Sequence, residues 1–228
     1  MSQKLQIPRR DLLGLLAAGA VLAPSAGLRA ALTPGERIAF DVLREDSSIG
    51  SHVIGFRRDG GDLLVDIDIA LEVRFAFLTL YRYRHSNRER WRDGRLISLN
   101  SETDDDGSAY WVRAEAAGDG LRVEGSDGRY TAPAGTLPTS YWNPRTVAQR
   151  QLLDSQHGRL LSVEVRPQGQ DDLLLPLGPH SARQYRIAGD LELDLWYGPR
   201  GEWLKLAFEA KGAEIEYSAL ETANPSRL

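Results

Sequence analysis

Between residues 65 and 77 every second position is apolar: Val65, Ile67, Ile69, Leu71, Val73, Phe75 and Phe77, with Asp66, Asp68, Glu72 and Arg74 among the positions between them. A period of two puts alternate side chains on opposite faces of an extended chain, and no helix presents it. The segment predicts a long strand with one wet face. The alternation slips at Phe77 and Leu78 and resumes with Tyr81 and Tyr83, which predicts a bulge or corner there. Three more alternating runs predict consecutive hairpins near the C-terminus: Leu191, Leu193, Leu195 and Tyr197; Leu204, Leu206 and Phe208; Ile215 and Tyr217.

Turn dipeptides separate such runs throughout, among them Gly60-Gly61, Asp93-Gly94, Asp106-Gly107, Asp119-Gly120, Asp127-Gly128, Gly189-Asp190 and Lys211-Gly212. The pattern predicts an all-β fold, an antiparallel meander of about ten to twelve strands forming a strongly curved sheet or open β-barrel. One short helix is expected at 144–153, with Asn143 as its cap and Pro144 at its first position. The odd positions of 65–77, Tyr81, Tyr83, Trp91, Leu193, Leu195 and Tyr197 are the expected inner lining.

The first thirty residues follow another pattern. Lys4, Arg9 and Arg10 precede a soft apolar run at 12–23, then Pro24, Ser25 and small residues. That run is too short to remain as a membrane span and reads as an export leader. Arg9 and Arg10 directly before it match a twin-arginine signal, although the residues after the pair match only in part and a general secretory leader shares the other features. The expected division is a leader at 1–30, a single barrel-like domain at 31–221 and a flexible tail at 222–228. The expected address is the periplasm, with no integral membrane segment after cleavage.

Composition narrows the possible functions. The chain of 228 residues carries a net charge of −4, and losing the leader removes four cations and one anion, leaving −7. An acidic domain is a poor candidate for charge-driven binding to nucleic acid or anionic membranes. With no cysteine there is neither a lipoprotein anchor nor a disulfide.

Residues 81–95 (YRYRHSNRERWRDGR) suggest a nucleic-acid surface at first sight, but parity argues otherwise. Arg82, Arg84, Arg88, Arg90 and Arg92 fall on one strand face; Tyr81, Tyr83, His85 and Trp91 fall on the other. A three-residue loop at 92–94 would set Arg90 against Leu96, Arg88 against Ser98, Arg84 against Glu102 and Arg82 against Asp104, neutralising part of the row. A two-residue loop would reverse the second strand and leave the arginines opposite Ile97 and Leu99.

Asp104-Asp105-Asp106-Gly107 lacks the distal glutamate of a calcium loop and reads as a hairpin turn. His52, His85, His157 and His180 are scattered without metal-ligand spacing, and no G-x-S-x-G elbow is present. No catalytic residue, metal ligand or cofactor is therefore assigned. The most unusual stretch is LPTSYWN at 137–143, where two large aromatics sit in a segment without strand periodicity. Such a loop either plugs a core or lines a pocket mouth. The candidate ligand-binding residues are Tyr141, Trp142 and Asn143, with Tyr81, Tyr83 and Trp91 on the inner wall.

The run 81–106, the LPTSYWNP segment, LLD at 152–154, GRLLSV at 158–163 and GDLELDLWYGPRG at 189–201 resemble an exported bacterial family known only as domain of unknown function 6134. The resemblance covers essentially the whole chain after the leader. LPLGPHSARQYRI at 175–187 and WLKLAFEAKG at 203–212 are also similar to a second uncharacterised periplasmic family. Both resemble in architecture the curved sheets of periplasmic lipoprotein carriers such as LolA and LolB, an analogy of fold that implies no catalytic residues. The function expected from residues and resemblance together is a non-enzymatic periplasmic protein that binds or carries a lipid-like or hydrophobic ligand. The alternative is an envelope accessory module with a filled interior that contacts another envelope protein; an enzyme without a recognisable motif is the third reading.

Overall fold

A computed structural model describes residues 36–228; the expected leader, with Arg9 and Arg10, lies outside the described residues. The first half of the described chain forms eight strands: β1 (Arg37–Arg44), β2 (Ser47–Asp59), β3 (Asp62–Phe75), β4 (Leu78–Arg92), β5 (Arg95–Asp105), β6 (Ser108–Ala117), β7 (Gly120–Gly125) and β8 (Gly128–Pro133). The second half forms seven: β9 (Leu137–Pro138), β10 (Gln151–Leu153), β11 (Leu160–Leu175), β12 (Gly178–Gly189), β13 (Leu193–Tyr197), β14 (Trp203–Ala210) and β15 (Ala213–Glu221).

All fifteen join one sheet, ordered β8-β7-β6-β5-β4-β3-β2-β1-β15-β14-β13-β12-β11-β10-β9. Every neighbouring pair is antiparallel except β9 with β10. The meander thus runs outward from the β1–β15 pair in both directions. It does not close, because β8 and β9 are the two edges of the ladder. Most of the turn dipeptides seen in the sequence are strand connections, and the three C-terminal strands pair as consecutive hairpins.

Local chemistry changes several expected details. Residues 144–153 are not one helix. Asn143 Oδ1 accepts from the Arg145 amide at 3.0 Å and Pro144 starts a turn, as the cap pattern predicts, but it is a 3-10 turn, Pro144–Ala148. The β-branched Thr146 and Val147 weaken a helix. Leu152 and Leu153 instead pair with β11 and are fully buried.

The long alternating strand ends at Phe75, with Ala76 and Phe77 forming the turn and a register shift at Val73/Arg74 that bulges Leu80. Val65 and Ile67 line the core as expected, while Ile69, Leu71 and Val73 are only partly covered and Phe75 and Phe77 are exposed. At the other end of β4 the loop has two residues, Asp93 and Gly94, both at positive φ. A bulge at Ile97 then restores the parity such a loop would have reversed: Trp91 faces Leu96, Arg90 faces Ser98 and Arg84 faces Asp104. The arginines are charge-paired chiefly with the preceding strand, Arg90 and Arg92 with Asp62, Arg88 with Asp66 and Arg82 with Glu72.

In the stretch expected as a tail, Ala223 is buried and Pro225–Arg227 make a second 3-10 turn. Among the described residues no helix is long and apolar enough to cross a membrane.

Candidate functional site

The LPTSYWN loop and the turn after it lie inside the sheet. Tyr141 has φ 55°, a left-handed conformation that costs a side-chain-bearing residue about 1–3 kcal/mol. Residues 141 and 142 contact opposite walls. The Tyr141 ring lies 5.8 Å from Trp203 of β14, and its carbonyl accepts from Tyr197 Oη at 2.7 Å. Trp142 stacks edge-on against Trp91 of β4 at 5.2 Å and Phe56 of β2 at 5.3 Å. One short loop therefore bridges strands that do not pair with each other.

A buried carboxylate holds this bridge. Glu89 Oε2 accepts from the indole N–H groups of Trp91 at 2.8 Å and Trp142 at 3.0 Å, while Oε1 accepts from Asn87 at 2.9 Å. Burial raises the Glu89 pKa, and these hydrogen bonds, with one from Ser140, oppose the rise. Farther along, Ser101 donates to the Ser155 carbonyl at 2.6 Å, and His85 Nδ1 lies 2.8 Å from Thr103 Oγ1. The inner face of β4 and β5 is thus a row of buried polar groups, several of which fasten the loop that covers them.

Asp154 anchors the far end of that loop. Burial works against its ionisation, but His157 at 3.0 Å, the Gln156 amide and Arg159 outweigh it and hold its pKa below the ordinary value. Two histidines are held neutral chiefly by burial: His85, lowered to about 4, and His52, lowered to about 3 with a further contribution from His85. His52 lies among Phe40, Trp203 and Tyr217, and neither ring nitrogen has a hydrogen-bond partner.

The loop does not fill the whole interior. Between the Pro144–Ala148 turn and strands β11 to β13 remains a cleft of about 350 Å³. Pro144 and Val147 form one wall, with Tyr185, Tyr197 and Pro199 opposite. Arg183 shares a face with Tyr185 and sits directly across the ladder from Tyr197 on one side and Gln170 on the other. Among the described residues no carboxylate pairs with Arg183, so the cleft combines apolar walls with an uncommitted cation, Gln170 and Ser181. No three His, Asp or Glu side chains among the described residues are grouped to hold a metal ion.

The sequence candidates separate into three places. Trp91 and Trp142 meet in the core, and Tyr141 packs against Trp203 of β14. Asn143 caps the turn that walls the cleft. Tyr81 and Tyr83 lie toward the opposite end of β4, where Tyr81 donates to Asp105 at 2.7 Å beneath Lys211, and Tyr83 donates to Gln156 at 3.3 Å. Glu89 was legible in the sequence by parity, since it shares the inner face with Tyr83, His85 and Trp91, yet a single glutamate among five arginines draws no attention. Arg183 and Tyr185 carried no local signal, because only the return of residues 144–148 onto β12 makes them a site.

The family model described as Domain of unknown function (DUF6134) matches residues 40–219. A crystal structure of a beta-barrel-like protein of domain of unknown function DUF1849 from Brucella abortus is similar in fold, with a TM-score of 0.58 at 12% identity, covering 82% of this chain and 96% of that one. No curated protein matches the chain.

Proposed function

The chain belongs to the DUF6134 family, and we propose that it is a non-enzymatic exported protein that binds a small hydrophobic or amphipathic ligand in the cleft between the 144–148 turn and β11 to β13. The observation that carries this reading is the cleft itself. At about 350 Å³ it falls within the range of small-molecule sites, and its lining sets apolar side chains beside Arg183, which makes no ion pair among the described residues. Burial of apolar ligand surface contributes about 25 cal/mol per Å² before the costs of association. Arg183 would orient a carboxylate or phosphate end, with the remainder lying against Val147, Tyr185 and Pro199. Tyr141 and Asn143 act as positioning residues: one receives the Tyr197 hydroxyl bond, the other caps the turn that forms the wall. The periplasmic address rests on the leader pattern.

Titration with a fluorescent fatty-acid analogue tests the site. Val147→Trp, which adds bulk to the wall of the cleft, should weaken binding at least tenfold with an unchanged circular dichroism spectrum. Equal binding by both proteins would remove the cleft from the account.

A second reading, an envelope interaction module, draws support from the aromatic packing of Trp91, Trp142 and Trp203 that fills the rest of the interior. It expects no ligand in either protein.

A further inference from the structure

The β3–β4 hairpin extends beyond its neighbours. Pairing of β3 with β2 ends at Leu71 and pairing of β4 with β5 ends at Tyr83, whereas β3 and β4 continue to pair up to Phe75 and Leu78. The end of the hairpin is therefore a two-stranded ribbon. It carries an uncharged run at 75–81, in which Phe75 is 71% exposed, Phe77 93%, Leu78 53% and Leu80 58%. Among the described residues, four of the seven large apolar side chains so exposed fall within this run. Monomeric proteins seldom present such a cluster without a use for it.

We propose that this tip inserts into the surface of a lipid bilayer. Two features select that occupant. The tip is a convex projection, which suits a deformable medium better than a preformed flat surface. Its apex lies about 5–7 Å beyond Arg74, one strand step to Phe75 plus the height of the two-residue turn, which falls within the depth to which interfacial elements bury their apolar part. At that level stand Arg74 and Arg82, which share Glu72 at 2.5 and 4.0 Å, while the Asp106 carboxylate accepts from the Arg82 amide at 3.2 Å, so the neck offers lipid phosphates no excess of positive charge.

Glu45 and Asp46 lie in a further turn at the same end. Attraction is thus dominated by apolar burial, and high salt should weaken it less than tenfold. The inference is independent of the cleft, which lies at the opposite end of the strands beside Gly198 and Gly201.

The absence of cysteine makes the test direct. In the full chain, Thr79→Cys places an environment-sensitive nitrobenzoxadiazole label on the tip, and Asp119→Cys places it on the β6–β7 turn at the other end. On vesicles of phosphatidylethanolamine and phosphatidylglycerol, the Thr79 label should shift to the blue and become shielded from an aqueous quencher, while the Asp119 label should not. Phe75→Ser with Phe77→Ser, and separately Leu78→Ser with Leu80→Ser, should raise the lipid concentration giving half the shift at least tenfold at an unchanged urea midpoint.

Equal behaviour of the two labels would overturn the proposal, whether both shift or neither does. So would shielding of the Thr79 label without vesicles that grows with protein concentration, since that result assigns the tip to a second copy of the chain.

Discussion

The Trp142 indole donates to the Glu89 carboxylate at 3.0 Å across 53 positions of chain, and the same oxygen already holds Trp91. This contact ties the central loop to β4. The loop in turn carries Asn143 and the turn that walls the cleft, so the site depends on a buried acid that touches no ligand.

Glu89→Ala leaves two buried indole N–H groups without an acceptor, at about 1–3 kcal/mol each. The variant should lose about 2–6 kcal/mol in urea denaturation. Glu89→Gln retains an acceptor, and the unpartnered Asn87 Oδ1 can receive the new amide once the Asn87 amide rotates. It should remain within about 1 kcal/mol of the parent.

The Glu89 pair also predicts a pH dependence. Because the folded pKa is raised, the protein retains a proton that the unfolded chain releases near pH 4.3. The stabilisation is therefore full below that pH and declines as pH rises through the folded value. Urea midpoints of Glu89→Gln should improve relative to the parent from about pH 4 to pH 7. Asp154→Asn should move oppositely: its depressed pKa contributes stability above the unfolded value that is lost as pH falls through the folded one.

His52 titrates with the same sign as Asp154 and opposite to Glu89. Folded, its pKa is about 3 against an ordinary 6.5, so its contribution is complete above pH 6.5 and disappears as pH falls toward 3. His52→Leu removes two unpartnered buried nitrogens. It should equal or exceed the parent in stability at neutral pH, and the fall in its urea midpoint on acidification should be shallower.

Gly50 lies where the β1–β2 register shifts, at φ 149°, and a Cβ there would stand 2.0 Å from the Ala70 carbonyl oxygen. Backbone cannot yield as a flexible side chain can. Gly50→Ala should cost more than Gly60→Ala, which meets open space and bears only the left-handed penalty of about 1–2 kcal/mol. Thermal unfolding of the two variants checks the order.

Arg183 makes no ion pair among the described residues and is exposed, so Arg183→Glu should leave the urea midpoint unchanged. It should nevertheless weaken a ligand with an anionic end, such as a fatty acid, at least tenfold more than the corresponding alcohol. Equal loss for both would indicate that Arg183 only borders the cleft.

The meander was legible because its signals are local: alternation at Val65 and Ile67, and Gly-containing turns at almost every connection. The failures lie where tertiary demand overrides local pattern. Leu152 and Leu153 continue a plausible helix in sequence, yet they pair with β11 because their side chains complete the core. Phe75 and Phe77 continue the apolar stripe of β3 beyond the body of the sheet, where nothing covers them, and periodicity cannot reveal where the core ends. The sequence admits a two-residue loop at Asp93, whereas the compensating bulge at Ile97 is set by the partner strand and has no local signal. Among the site residues, the LPTSYWN loop stood out by composition, whereas Arg183 gains meaning only from the distant turn that faces it.

Native mass spectrometry of the protein purified gently from its own envelope fraction tests the binding claim most directly. The account predicts a stoichiometric adduct, extractable into organic solvent, that is present on the parent and absent from Val147→Trp. A bare mass for the parent, unchanged after incubation with envelope lipids, would contradict it.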